Sequence, residues 1–171
     1  CTLTCTTFDT LPAAGTKGSA FNRGTFNGVF HDHFVTAGIP LFAAISAANQ
    51  SVASATITTV VTGTVDFDTG SAFNAGTGAW TPQTPGYYLV GGAVAWGGGT
   101  GALRLLIYKN GVLYREGQSY MAGGQGISFT TPVYLNGTTD YVQMAAAQYS
   151  GGNQDILAGG NTCFHGTFLR S

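Results

Sequence analysis

The sequence predicts an all-β protein, built as a β-sandwich or a barrel, from three observations. Apolar and polar residues alternate with a period of two in many short segments, which is the pattern of half-buried strands. Asn-Gly, Pro-Gly and glycine-rich sequences separate these segments at short intervals. No segment carries the period of about 3.6 residues that marks an amphipathic helix. About eight to ten short strands with this spacing favour a sandwich or barrel.

The first part of the chain, residues 1–38, differs from the rest, because it is rich in Thr, Gly, Asn and Phe without a helical period. The alternation in residues 28–35 predicts an extended arm or a small β segment, which needs a partner surface to bury its aromatic side chains. We therefore predict an N-terminal arm or linker over residues 1–38 and a head domain over residues 39–171.

Regular strand signals begin at Ile39. The β-branched segment 55–62 predicts one strand, and the segment 64–96 predicts three strands with two turns between them. In the second of these turns, Thr84-Pro85-Gly86-Tyr87, we expect a type II turn with a positive φ at Gly86. Asn110-Gly111 predicts a type I′ hairpin turn. Further strands are predicted at 102–108, 112–117, 127–135, 140–148 and 162–169.

The composition indicates an oligomer. Only 8% of the 171 residues are charged and the formal net charge is -1, whereas about 25% charged residues is usual in soluble domains. Because buried interfaces between identical subunits are depleted of charge, we expect copies of the chain to cover much of its surface. The charge balance argues against nucleic acid as a partner. No apolar run reaches the about 18 residues of a membrane-spanning helix, so membrane insertion is not expected.

Five sequence blocks, taken in order, resemble a known family. They are Asn49-Gln50-Ser51, Val65-Asp66-Phe67-Asp68, residues 77–90, residues 106–111 and the final strand of glycine and aromatic residues at 162–169. Over about residues 40–171 the chain is similar to the complement C1q globular-head family, in the versions found in bacteriophage and bacterial structural proteins. The resemblance implies a jelly-roll β-sandwich of the C1q and tumour-necrosis-factor kind, with one sheet of each subunit packed around the threefold axis of a homotrimer. It also implies a binding or assembly module and not an enzyme. The aromatic candidates for the trimer axis or for the subunit core are Tyr87, Tyr88, Tyr108, Tyr141 and Phe168.

Two pairs of residues have the spacing of metal ligands. His31 and His33 point the same way if they lie on an extended strand, so three parallel copies present six imidazoles to one transition-metal ion on a threefold axis. The alternative is a polar pair on an exposed strand. Asp66 and Asp68 are also two apart, and they either hold calcium, act in acid-base chemistry or solvate the outer face of a strand whose other face is Val65 and Phe67. No other cofactor is indicated.

The glycine-rich loops at 97–101 and 123–126 lie beside three aromatic residues, Trp96, Tyr120 and Tyr149. Loops of this composition contact sugars through hydrogen bonds and ring stacking, or they are simply solvent-exposed strand ends. A nucleophilic elbow of the G-x-S-x-G type is missing from the sequence, and no carboxylate pair is placed convincingly for a glycan-degrading enzyme.

The sequence therefore favours a viral structural protein of a bacteriophage, namely the trimeric head of a tail fibre or capsid fibre that attaches the particle to a host surface. Residues 1–38 would join the head to other virion proteins, and the receptor would be a glycan or a protein of the host. We expect the protein on the surface of the virion, after assembly in the host cytoplasm. An alternative is a capsid decoration or cementing trimer whose main partner is the virion itself, and an enzyme is the least supported reading.

Overall fold

A computed structural model describes residues 23–26, 29–32, 39–122 and 125–171, with the backbone alone at 23–26, 29–32 and 120–122. The chain divides into two compact units, Cys1–Gly38 and Ile39–Ser171. In the first unit, strands β1 (Arg23–Phe26) and β2 (Val29–Asp32) form an antiparallel pair in which Arg23 lies opposite Asp32.

The second unit, the head, consists of antiparallel sheets, and the described residues contain no helix. Its strands in chain order are β3 (Leu41–Ser46), β4 (Gln50–Val52), β5 (Thr58–Thr59), β6 (Thr64–Asp68), β7 (Phe73–Asn74), β8 (Ala79–Trp80), β9 (Gly86–Ala95), β10 (Thr100–Lys109), β11 (Val112–Ala122), β12 (Gly126–Leu135), β13 (Val142–Gln148), β14 (Gln154–Ile156) and β15 (Gly159–Arg170).

Two of these sheets face each other as a sandwich. Sheet I has the strand order β12-β9-β15-β3-β6, and sheet II has the order β11-β10-β13-β8-β7, with β5 paired to β13. A separate pair, β14-β4, lies beside them. The all-β fold and the sandwich that the sequence predicts are confirmed.

The core lies between sheets I and II and is centred on aromatic side chains. Phe42 of sheet I lies 4.6 Å from Trp80 of sheet II and 4.9 Å from Phe164, measured between ring centroids. Tyr88 lies 5.1 Å from Trp80 in an edge-to-face arrangement. Such aromatic pairs contribute about 0.5–1.5 kcal/mol each beyond the burial of their apolar surface. In β3, β9, β12 and the middle of β15, about every second residue of sheet I joins the core and the residues between them form its outer face, whereas the edge strand β6 has no buried residue.

One predicted strand, 55–62, is far shorter than expected. Only Thr58–Thr59 forms strand β5, opposite Ala145 and Ala146 of β13. The physical reason is competition for the same edge of β13, because β8 pairs with Val142 and Gln143 next to it. The other residues of the segment pass this edge without forming a continuous ladder of backbone hydrogen bonds. The side chain of Val60, which belongs to this segment, is nevertheless fully buried.

The two predicted turns have different outcomes. Asn110 and Gly111 have φ values of 53° and 75°, so the type I′ hairpin is confirmed. At Gly86 the expected positive φ is confirmed, at 156°, but the type II turn was wrong, because that turn needs a φ of about 80° and Gly86 begins β9. Glycine is required there for space, since a Cβ would lie 2.5 Å from Cε2 of Phe168 and 2.6 Å from the carbonyl oxygen of Arg170.

No helix within the described ranges is long and apolar enough to cross a lipid bilayer.

Candidate functional site

The outer face of sheet I is the most unusual surface of the head, because its four main strands present no charged side chain at its centre. Strand alternation and the cross-strand register put one set of side chains on this face. Its members are Leu41, Ala43 and Ile45 of β3, Tyr87, Leu89, Gly91, Ala93 and Ala95 of β9, Ser128, Thr130, Pro132 and Tyr134 of β12, and Cys163, His165 and Thr167 of β15. Among the described residues, charged side chains lie at the rim of this face: Asp66 on β6, Arg170, whose guanidinium lies 5.5 Å from the ring centroid of Tyr87, and Lys109, whose Nζ lies 6.0 Å from that of Tyr134.

The outer face of sheet II has the opposite character. Arg104 and Glu116 form an ion pair across β10 and β11, and Arg104 also donates a hydrogen bond of 3.2 Å to the hydroxyl of Tyr149. These contacts raise the pKa of Arg104 and lower the pKa of the Glu116 carboxyl. At the hairpin end, Lys109 pairs with Asp140 at 2.8 Å, which lowers the pKa of that carboxyl. The outer face of sheet II thus carries ion pairs beside a small buried apolar cluster of Leu106, Ala145 and Ala147, and the two faces of the head differ in charge.

A groove of about 620 Å³ runs along the outer face of sheet I between β3, β6 and β15. Leu41, Ala43, Ile45, Cys163 and Thr167 line it, and Phe67, which is 48% exposed, forms one wall. An aromatic ring this exposed on an edge strand is costly in water, because burial of a phenylalanine side chain contributes about 1.5–3 kcal/mol. The groove is thus an apolar surface that no described residue of the head covers.

His165 faces this groove between Ala43 on β3 and Gly91 on β9. It is half-buried, and burial lowers the pKa of its imidazole below the usual 6.5. A lowered pKa favours the neutral ring at neutral pH. His165 therefore adds no charge to the centre of the face under those conditions.

The expected arrangement of Asp66 and Asp68 was wrong. The pairing of β3 with β6 shifts register between Ala43 and Ala44, and this bulge puts Asp66 beside Phe67 in the outer groove while Asp68 lies opposite Phe42. The Asp68 carboxylate accepts hydrogen bonds from the backbone N–H groups that follow it, including one of 2.7 Å from Phe73. The two carboxylates do not share a face, so they do not form a calcium or acid-base pair. Val65, expected to lie on a covered face, is 41% exposed.

The aromatic residues predicted for the trimer axis or the core fall in three places. Tyr88 is fully buried between the sheets, where its hydroxyl donates to the carbonyl oxygen of Thr84 at 2.5 Å and burial raises its pKa to about 12. Phe168 packs on Tyr88 with centroids 5.3 Å apart, so both are core residues. Tyr108 on β10 and Tyr141 just before β13 belong to sheet II and not to the face of sheet I.

Tyr87 is the one member of that predicted set on the outer face of sheet I, where it is 45% exposed. Its ring lies 5.3 Å from that of Tyr134, a residue that sequence reasoning missed. Tyr134 lies between Val133 and Leu135, which are both buried. This alternation in the sequence could have assigned Tyr134 to the outer face.

Of the three aromatics beside the glycine-rich loops, Trp96 was placed wrongly. Its side chain is 1% exposed, because the alternation of β9 continues past Val94 and turns the indole into the core. Tyr149 is 41% exposed, as a surface aromatic should be. Tyr120 lies in β11 with its backbone opposite Ala102, and its side chain is outside the described structure.

The predicted metal ligands His31 and His33 are only partly described. His31 lies in β2 opposite Gly24, whereas His33 falls outside the described residues. The parts of the chain with described side chains contain no group of three or more His, Cys, Asp or Glu residues that could hold a metal ion.

The histidine site stays a prediction. Elemental analysis of the purified chain is expected to show about one transition-metal ion per three chains if six imidazoles complete an octahedral site. That content should disappear when His31 and His33 are both replaced by alanine. A His165→Ala variant is the control and should retain the metal, and equal metal content in all three proteins would contradict the site.

Comparison with known proteins identifies the fold. No protein-family model matches the chain, and no curated protein matches it in sequence. The chain is similar to murine APRIL in a crystal structure at pH 5.0, with a TM-score of 0.60 and 13% identity over 77% of this chain and 99% of that one. It is also similar to the globular domain of zebrafish complement 1qA, with a TM-score of 0.50 and 15% identity over 77% of this chain and 99% of the other. These likenesses establish a jelly roll of the C1q and tumour-necrosis-factor kind.

Proposed function

We propose that the protein is a non-enzymatic, homotrimeric binding head whose subunits associate through the outer face of sheet I. The observation that supports this most directly is the contrast between the two sheets. The centre of one face carries no charged side chain and includes an open apolar groove, whereas the other face carries ion pairs. Interfaces between identical subunits have this anatomy, with a charge-depleted centre and a polar rim.

The form of the face favours a ring of subunits over a twofold dimer. The groove lies toward β3 and β6, whereas the exposed pair Tyr87 and Tyr134 lies on β9 and β12 at the other side of the sheet. If each head places its aromatic side against the groove of the next head, two different surfaces meet, and contacts of this kind form a closed ring when the rotation between neighbouring heads closes. The resemblance of residues 40–171 to C1q-like heads favours three members.

We further propose that this trimer is the head of a bacteriophage tail fibre or capsid fibre that attaches the virion to a host surface. Residues 1–38 form the arm that joins it to other virion proteins. This proposal is supported by the resemblance of the sequence blocks in residues 40–171 to C1q-like heads of phage and bacterial structural proteins. A capsid decoration trimer is the second candidate, and the separate compact unit Cys1–Gly38 is compatible with either role.

Sedimentation equilibrium of the full chain tests the assembly. We expect a single species of three times the 17.6 kDa chain mass at micromolar concentration. If each interface between neighbouring subunits has the usual size, about 1,600 Å² in total, the trimer should remain associated at that concentration. A stable monomer would contradict the proposal. Binding of the trimer to host cells would favour attachment, and binding to capsids alone would favour decoration.

A further inference from the structure

The outer face of sheet II is the surface that the proposed trimer leaves free, and it contains a small pocket of about 330 Å³. Three elements form this pocket, namely β10 with its hairpin turn, β13, and the short strand β5 with the residues before it. Its lining residues are Ile57, Thr59, Tyr108, Gly111, Gln143 and Ala145. All of them come from one chain, so the pocket is complete in a single head.

The pocket has a buried alanine at its base and a tyrosine ring along one side. Ala145 is 3% exposed and forms the floor, with Thr59 of β5 opposite it in the ladder. Tyr108 is half-buried and packs against the apolar cluster that contains Leu106 and Ala145. This packing restricts the ring, so a ligand that stacks on it loses little additional side-chain entropy. Ile57, which is 45% exposed, adds apolar surface to the lining.

The polar groups of the pocket are neutral and partly fixed. Gln143 lies directly opposite Tyr108 across β10 and β13. Its Nε2 donates a hydrogen bond of 2.9 Å to the carbonyl oxygen of Thr77, which orients the amide and leaves Oε1 to accept from a ligand. The hydroxyls of Tyr108 and Thr59 add two more groups that both donate and accept. None of the six lining residues is charged.

We propose that this pocket binds one neutral sugar unit of a host glycan. A sugar has an apolar face of C–H groups that suits an aromatic ring, and hydroxyls that suit an oriented amide and neighbouring hydroxyls. The absence of charge from the lining favours a neutral hexose over a sialic or uronic acid. This inference rests on the proposed attachment function and names the class of its ligand.

A shallow site of this kind binds one sugar weakly, with a dissociation constant of about 1 mM. Three copies on one trimer strengthen attachment to a surface that displays many sugars, because the second and third contacts form at high effective concentration. Weak binding of the single sugar is therefore expected even if attachment of the trimer is strong.

The full-length chain tests the proposal by saturation-transfer difference NMR with the methyl glycosides of glucose, galactose, mannose and N-acetylglucosamine. Methyl sialoside serves as the charged comparison. We expect transfer to the ring protons of at least one neutral glycoside and an affinity about tenfold lower in Tyr108→Ala. Tyr108→Leu is the second test variant, for use if Tyr108→Ala does not fold, because it keeps an apolar side chain over Leu106. It should show the same loss of affinity.

The matched control is Tyr149→Ala, because Tyr149 is a half-exposed tyrosine on the same face of sheet II but lies beside Arg104 and not in the pocket. It should bind the neutral glycoside as the parent does. Transfer to no glycoside, or a loss in Tyr149→Ala with normal binding in both Tyr108 variants, would overturn the inference. Sedimentation of the same samples distinguishes the two proposals. If the protein is a trimer that binds no sugar, only the sugar-binding proposal is contradicted. If it is a monomer that binds sugar, only the trimer proposal is contradicted.

Discussion

Replacing Gly92 with alanine should unfold the head at temperatures where the parent protein is stable. Gly92 lies in the middle of β9 and is buried between sheets I and II. A Cβ at this position would collide with the carbonyl oxygen of Cys163 on the neighbouring strand and would lie 2.7 Å from Sδ of Met144 on the facing sheet. The methionine can move, but the carbonyl oxygen belongs to the ladder between β9 and β15. We expect a loss of about 3 kcal/mol or more in the free energy of unfolding, because central strands must separate to admit one methyl group.

Thermal and urea unfolding measure this effect. In a chain of this size a loss of 3 kcal/mol lowers the melting temperature by about 10 °C. Gly152→Ala is the matched control, since no atom lies within 4 Å of its added Cβ and the residue is exposed. The control should differ from the parent by less than about 0.5 kcal/mol. Equal melting temperatures for Gly92→Ala and the parent would show that β9 and β15 do not approach this closely.

The fold class was predictable because it depends on local patterns. Period-two alternation and turn chemistry act within a few residues, so they predict strands and the Asn110-Gly111 hairpin from the sequence alone. The role of Gly92 was not predictable in the same way. In the sequence, Gly92 is one of several small residues in a row. Glycine is required there because Cys163 and Met144, which come from distant parts of the chain, leave no space for a Cβ atom.

The candidate site was harder to predict, since an alternating strand has two faces and the sequence does not say which one is covered. Tyr87 and Tyr88 were equal candidates for the trimer axis, yet one is 45% exposed on sheet I and the other is fully buried. Trp96 was assigned by its closeness to a glycine-rich loop, although its place in the alternation after Val94 pointed to the core. The bulge that separates Asp66 from Asp68 depends on the pairing of β3 with β6, and no local signal marks it.

Replacing Thr167 with lysine should convert the trimer into folded monomers. Thr167 is half-exposed in β15, opposite Leu41 of β3 and Leu89 of β9, and it lines the apolar groove on the outer face of sheet I. Within one subunit a lysine side chain at this position extends into solvent, so the fold is retained. Within a trimer each lysine loses its hydration, and the described carboxylate that lines the same groove, Asp66, lies two strands away on β6 at the rim of the face. An unpaired buried charge costs about 3–5 kcal/mol, and a trimer would contain three of them.

The matched control is Gln118→Lys, which introduces the same charge on the exposed face of sheet II, where Gln118 already donates to the Glu116 carboxylate. Sedimentation equilibrium should give a monomer for Thr167→Lys and a trimer for Gln118→Lys, while near-ultraviolet circular dichroism stays the same for both. A trimer in both variants would mean that the groove side of sheet I is not buried in the assembly. The reverse result, with only Gln118→Lys dissociated, would move the interface to sheet II, and the ion pairs and the sugar pocket of that sheet would then lie inside the assembly instead of on its surface.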